Sequence, residues 1–153
     1  MHWGVNTIPG YDGHYARWMY WYQEADSSLL GNVILGYRKH APQVYQYHLK
    51  HFGHPSEFGY KDFIPMWKAT RFNADSLAAF YKEIGAKFIG VMAVHHDNFD
   101  LYDSSHQPWN SVKMGPKIDI VGAWKKACKK VGVQRSARST HYKTPSRRIH
   151  ARP

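Results

Sequence analysis

A chain of 153 residues with 43% hydrophobic and 16% aromatic side chains has enough apolar surface to bury one core, which excludes a disordered polypeptide. Its longest clean apolar run, Phe88 to Val94, falls far short of the roughly 20 residues of a membrane helix, so no membrane partner is expected. The formal charge is +10, but Val133 to Pro153 carries six of the cations (Arg135, Arg138, Lys143, Arg147, Arg148 and Arg152) and no acid, so residues 1–132 are only mildly basic. Nucleic acid is therefore a weak candidate partner.

Taken in order, Met1 to Tyr37 is aromatic and rich in turn residues, with Pro9-Gly10 and Asp12-Gly13 as breakers and no clean period. Arg38 to Lys68 holds His40, His48, His51 and His54 and is expected to form short helices and loops. The next segment is clearer. Asn73 suits a helix N-cap and Asp75 the first turn, where the helix dipole favours negative charge. Leu77, Phe80, Tyr81 and Ile84 recur at helical spacing and predict its apolar face, and Gly85 suits a left-handed stop. Lys87 to Val94 is apolar on both faces, as in a central parallel strand. A loop through Pro108 and Pro116 leads to a second helix from about Asp119, with Val121, Trp124, Cys128 and Val131 as its buried stripe and Gly132 as its end. The single cysteine, Cys128, forms no internal disulfide and reads as a small core residue.

Helix, buried strand, polar strand end, loop and helix make the rhythm of a βα-repeat protein, so the expected class is α/β. Ligands in such folds gather at the carboxyl ends of the strands. There the sequence reads His95-His96-Asp97. Three readings of the histidines stay open from the residues alone: satisfaction by backbone groups, contact with a ligand, and metal ligation with His2 and Asp97. Against metal stands the alternation of a strand, which sends adjacent side chains to opposite faces. Asp97 is expected to orient an imidazole or cap a turn.

Five stretches in order, "HWGVNTIPG" (2–10), "HYARWMYW" (14–21), "FGYKDFIPMWKATRFNAD" (58–75), "AKFIGVMAVHHDNFDLYDS" (86–104) and "WNSVKMGPKIDIVGAW" (109–124), resemble the catalytic domain of the α-L-fucosidases, glycoside hydrolase family 29. The resemblance implies a (β/α)8 TIM-like barrel, incomplete here at both ends, and a fucosylated glycan as substrate, with no cofactor and no metal. It implies that His2, Trp18, His95 and His96 contact the sugar, with Trp3 and Asp97 in support. Arg17 stands where the family often has glutamate, "HHDNF" replaces the usual HHDGF, and Leu101-Tyr102 replaces LW, departures that bear on substrate preference. The chemistry suits a sugar. A neutral imidazole offers one donor and one acceptor, as a hydroxyl does, and an indole covers the apolar face of a pyranose.

A retaining glycosidase needs two carboxyl groups about 5–5.5 Å apart, and the family carries both on later segments than those matched. No catalytic residue is therefore assigned. Residues 1–132 are expected to be the first part of the barrel and 133–153 a basic, non-native or disordered tail, the change after Gly132 suggesting a frameshift or a premature end. In such a partial barrel Leu77, Phe80, Trp124 and Val131 are expected to lose their cover. No charged-then-apolar leader stands before the first motif, and localisation is left open. The competing functions are a non-catalytic carbohydrate-binding relic and a basic nucleic-acid-binding protein.

Overall fold

The computed structural model describes residues 3–20 and 40–139. Its centre is a parallel βαβ unit. Strand β1 (Phe88–Val94) pairs with β2 (Gln134–Ser139) from Phe88 opposite Gln134 to Val94 opposite Ser139, with an irregularity between Met92 and Val94. The crossover between them carries a helix, the connection that parallel strands require.

Two helices border β1 in sequence. The first of these, Ala74–Glu83, starts at Asn73, whose side-chain oxygen accepts the Ser76 N–H at 3.0 Å. The crossover helix, Ile120–Val131, starts at Asp119, whose carboxylate accepts the Gly122 N–H at 2.7 Å, and ends on left-handed Gly132 at φ 67°. Both caps satisfy amide donors that a helix N-terminus leaves unpaired. The two helices pack together, with the Tyr81 and Trp124 rings 6.4 Å apart and an exposed Lys130–Asp75 ion pair at 2.6 Å. That pair is solvated and contributes at most about 1 kcal/mol.

Two further helices precede this unit. With α1 as Tyr15–Trp18 and α2 as His40–Phe52, the helices just described are α3 (Ala74–Glu83) and α4 (Ile120–Val131). Among the described residues, Val5–Thr7 and Tyr60–Met66 form short 3-10 segments. This part of the chain matches the expectation of short helices and loops, with α2 longer than its pattern suggested. Its core is aromatic: Phe52, Phe58 and Phe63 meet edge-on or stacked, and Tyr15 meets Phe63 edge-on at 5.8 Å. Such pairs add about 0.5–1.5 kcal/mol beyond area burial.

Packing corrects three expectations. The buried residues of α3 are Ala74 and Ala78, whereas Phe80 and Ile84 are 53% and 62% exposed. Phe80 is thus without cover, as expected of a partial barrel, and Ile84 with it. Strand β1 buries Ile89 and Val91, which join the core cluster with Ala78, Trp124 and Cys128, and also Val94 at its carboxyl end. Phe88, at the other end, is 70% exposed. Trp124, expected to lose its cover, is fully buried between Phe72 and Tyr81, while Leu77 and Val131 keep partial cover.

The second strand also departs from the sequence pattern. Gln134–Ser139, read as the start of an aperiodic tail, pairs along the whole of β1. Gln134 to Ala137 are exposed, so backbone hydrogen bonding rather than side-chain burial holds this strand, and no apolar alternation marks it.

The loop from His95 to Asp119 is ordered from within. Fully buried Asn110 accepts the amides of Val112 and Lys113 and donates to the Gln107 carbonyl at 3.2 Å. Asp100 and Asn110 form a bridge, and Leu101 N–H donates to the Ala93 carbonyl at 2.8 Å. Gly115 lies against the 3-10 helix: a Cβ there would sit 3.0 Å from the Ile64 carbonyl oxygen, and its φ of 63° is itself strained for other residues.

Candidate functional site

At the carboxyl end of β1 the chain leaves the sheet after Val94 and turns, with Asn98 N–H donating to the His95 carbonyl at 3.0 Å. Asn98 adopts a left-handed φ of 57° to make that turn. His95 and His96 therefore lie beyond the strand, and its alternation does not separate them. Their ring centroids are 4.3 Å apart. His14, just before α1, brings a third imidazole, 5.6 Å from His95 and 5.0 Å from His96. One ring nitrogen of each of the three lies within 4.8 Å of the other two. His14 is exposed and the pair after β1 partly buried, so the cluster is open to solvent.

Beneath the turn Asp97 is 3% exposed. One carboxylate oxygen accepts the Tyr60 hydroxyl at 2.8 Å, and the other caps the turn by accepting the Phe99 N–H at 3.2 Å. Burial raises its pKa to about 6, with the hydrogen bonds opposing the shift and nearby Asp100 adding to it. The Tyr60 phenol is pushed well above its ordinary range by burial and by the Asp97 charge. Tyr60 N–H in turn donates to the Tyr20 hydroxyl at 2.7 Å.

A second polar line supports α1. His48, fully buried on α2, has Nε2 2.8 Å from the Phe58 carbonyl and Nδ1 2.9 Å from the Tyr15 hydroxyl. A carbonyl only accepts, so Nε2 carries the proton and Nδ1 accepts from Tyr15. Burial lowers the His48 pKa and keeps the ring neutral, and burial raises that of Tyr15. The result is a fixed platform for α1, whose N-cap is His14.

The residues named from sequence are distributed as follows. His95 and His96 lie side by side. Asp97 is directly under them, bonded to Tyr60 and to its own turn. Trp18 is buried at the end of α1, with the Arg17 guanidinium 4.6 Å from its ring centroid. Trp3 packs edge-on against Trp67 at 5.1 Å and stacks on Phe72 at 5.2 Å. It also lines an open groove of about 380 Å³ with Gly4, Asn6, Thr7 and Tyr11, which does not include the histidine pair. His2 lies outside the described residues. His14 and Tyr60 were missed, although both stand in the quoted motifs. A lone histidine in an aperiodic loop gives no signal of its partner eighty residues on.

The parallel βαβ unit with its polar cluster at a strand's carboxyl end has the layout of the βα-repeat enzymes. Comparison with known proteins gives the family. The family profile described as alpha-L-fucosidase matches residues 1–149. An alpha-L-fucosidase of Dictyostelium discoideum is 33% identical over 135 residues, which are 87% of this chain and 26% of that protein. The plasma alpha-L-fucosidase of Homo sapiens is 30% identical over 122 residues, 79% of this chain and 22% of its own length. Among solved structures, the Thermotoga maritima alpha-fucosidase in complex with fucose matches with a TM-score of 0.68 at 28% identity, over 90% of this chain and 31% of that one. The chain belongs to the alpha-L-fucosidase family of glycoside hydrolases. It spans about a quarter of the length of the curated relatives it matches.

Proposed function

We propose that this chain supplies the sugar-recognising side of a retaining α-L-fucosidase site, with β1–α4–β2 as one repeat of a (β/α)8 barrel. The observation that carries the reading is the His95–His96 pair, 4.3 Å apart at the carboxyl end of β1, in a chain of this family. Each neutral imidazole donates to one lone pair and accepts one hydroxyl hydrogen, so two adjacent rings fix two neighbouring sugar hydroxyls. Trp18 and His2 complete the sugar contacts, as the resemblance implies. Buried Asp97 and Trp3 hold the turn and the N-terminal segment in place.

Hydrolysis by this family proceeds through a nucleophilic and an acid/base carboxyl group. We assign neither to a residue of this chain, so the chain alone binds fucose and does not cleave it. Saturation-transfer NMR with L-fucose and with D-galactose tests the recognition, and an aryl α-L-fucoside tests the cleavage. The expected outcome is transfer to L-fucose, weaker transfer to D-galactose and no release of the phenol. Equal transfer to both sugars contradicts the recognition, and sustained phenol release contradicts the assignment of the carboxyls.

A further inference from the structure

We infer that the groove between the 3-10 helix Tyr60–Met66 and the loop before α4 binds a sulfated oligosaccharide. This open groove of about 320 Å³ is lined by Lys61, Lys68, Lys113 and Lys117, together with Trp109 and Gly115. Among the described residues no aspartate or glutamate lines it. The charge is concentrated here beyond what composition supplies: setting the six cations of 133–153 aside from the total of +10 leaves residues 1–132 a net charge of +4. The Lys113 and Lys117 ammonium groups donate to backbone carbonyls, those of Ser104 at 3.5 Å and of Lys113. Among the described residues the one ion pair of a lysine is Lys130–Asp75, outside the groove. Four like charges around one concavity repel each other and focus a positive field, and a bound anion relieves that repulsion.

The backbone that presents these lysines is fixed. Ser111 and Ile118 close the loop between them, the Ile118 N–H donating to the Ser111 carbonyl at 2.8 Å and the Ser111 hydroxyl to the Ile118 carbonyl at 2.7 Å. Lys117 is held at a left-handed φ of 60°, a conformation that a lysine keeps only where its surroundings enforce it. At Gly115 the loop comes so near the opposite wall that a Cβ would meet the Ile64 and Trp67 carbonyl oxygens at 3.0 and 3.2 Å. The two walls therefore keep their spacing.

The half-buried Trp109 indicates what kind of anion fits. An indole covers the apolar face of a pyranose, while ammonium groups take the sulfate oxygens as point charges. A single-stranded nucleic acid stacks successive bases on several aromatic rings, and this groove offers one. The groove shares no residue with the histidine turn, so the inference goes beyond fucose recognition and does not depend on it.

The test is calorimetric titration of the full chain at low salt with a heparin-derived tetrasaccharide, its desulfated counterpart and a single-stranded DNA oligonucleotide. The main variant is Lys68→Gln/Lys113→Gln/Lys117→Gln. Its control, Lys125→Gln/Lys126→Gln/Lys129→Gln on α4, removes the same charge, and all six positions are exposed. Lys68→Glu is a second, single substitution in the groove. Exposed ion pairs are each worth a factor of about 1.4–5, so the groove variant should bind the sulfated sugar about 3- to 150-fold more weakly. Lys68→Glu should weaken it too, and the α4 variant should change it by less than about twofold, because screening attenuates charges outside contact distance. The desulfated sugar and the DNA should bind more weakly to the parent than the sulfated sugar does. No binding by the parent, equal binding of the desulfated sugar, or equal loss in the two triple variants overturns the proposal. Equal or tighter binding of DNA through the same lysines also overturns it and assigns the groove to nucleic acid.

Discussion

The Tyr60 hydroxyl lies 2.8 Å from a carboxylate oxygen of Asp97, and both groups are buried directly beneath the histidine turn. The bond joins the 3-10 helix to the carboxyl end of β1, so the position of His95 and His96 is tied to the aromatic core that carries Tyr60. It also joins two groups whose ionised forms are disfavoured by burial.

The first prediction follows from that pair. The Asp97 pKa is raised from 3.8 to about 6, so between those values the folded chain holds a proton that the unfolded chain has lost. Stability from this group is therefore present at low pH and lost as pH rises through about 6. Asp97→Asn removes the cost of the buried charge while keeping the shape. Relative to the parent, the variant should be more stable near pH 7 than near pH 4 by on the order of 2–3 kcal/mol. Urea unfolding at both pH values checks this. A constant difference would mean that Asp97 titrates normally.

His48 acts in the opposite direction. Its pKa is lowered by burial, so the unfolded chain takes up a proton before the folded chain does. The stability it contributes is present above the ordinary histidine value of 6.5 and lost as pH falls below it. His48→Gln keeps groups able to meet the Tyr15 hydroxyl and the Phe58 carbonyl, and should cost about 1–2 kcal/mol near neutral pH. The same substitution should flatten the stability profile just below pH 6.5. An unchanged acid limb would place the responsible group elsewhere.

Core and surface should separate cleanly on the helices. Trp124 is fully buried, and Trp124→Ala should cost about 3–5 kcal/mol. Phe80, 53% exposed on α3, should tolerate Phe80→Ser within about 0.5 kcal/mol and lose hydrophobic-dye binding. Thermal unfolding and dye fluorescence report the two effects. A large loss of stability in Phe80→Ser would show that this face is packed in solution.

Local signals made much of this legible from sequence. Asn73, Gly85, Asp119 and Gly132 bound α3 and α4 within a residue or two, because caps depend on side chains adjacent to the backbone groups they satisfy. The buried stripe of α4 was legible for Trp124 and Cys128. Strand β2 was not, since Gln134 to Ala137 are exposed and show no apolar alternation. The exposure of Phe80 was legible, since a helix face without a full barrel loses its cover, but the same argument failed for Trp124, which stays buried. At the site, adjacency in sequence revealed His95, His96 and Asp97. Their links to His14 and Tyr60 are long-range contacts that spacing does not encode.

The central claim is that the histidines after β1 recognise fucose. Its most direct measurement is saturation-transfer NMR of L-fucose with the parent chain and with His95→Ala/His96→Ala, each first shown by circular dichroism to keep its secondary structure. Each lost hydrogen bond to the sugar should cost roughly 0.5–1.5 kcal/mol, so two together weaken binding by about five- to a hundredfold. The account predicts clear transfer to fucose from the parent and little or none from the double variant. Equal transfer from both, or none from the parent, would contradict it.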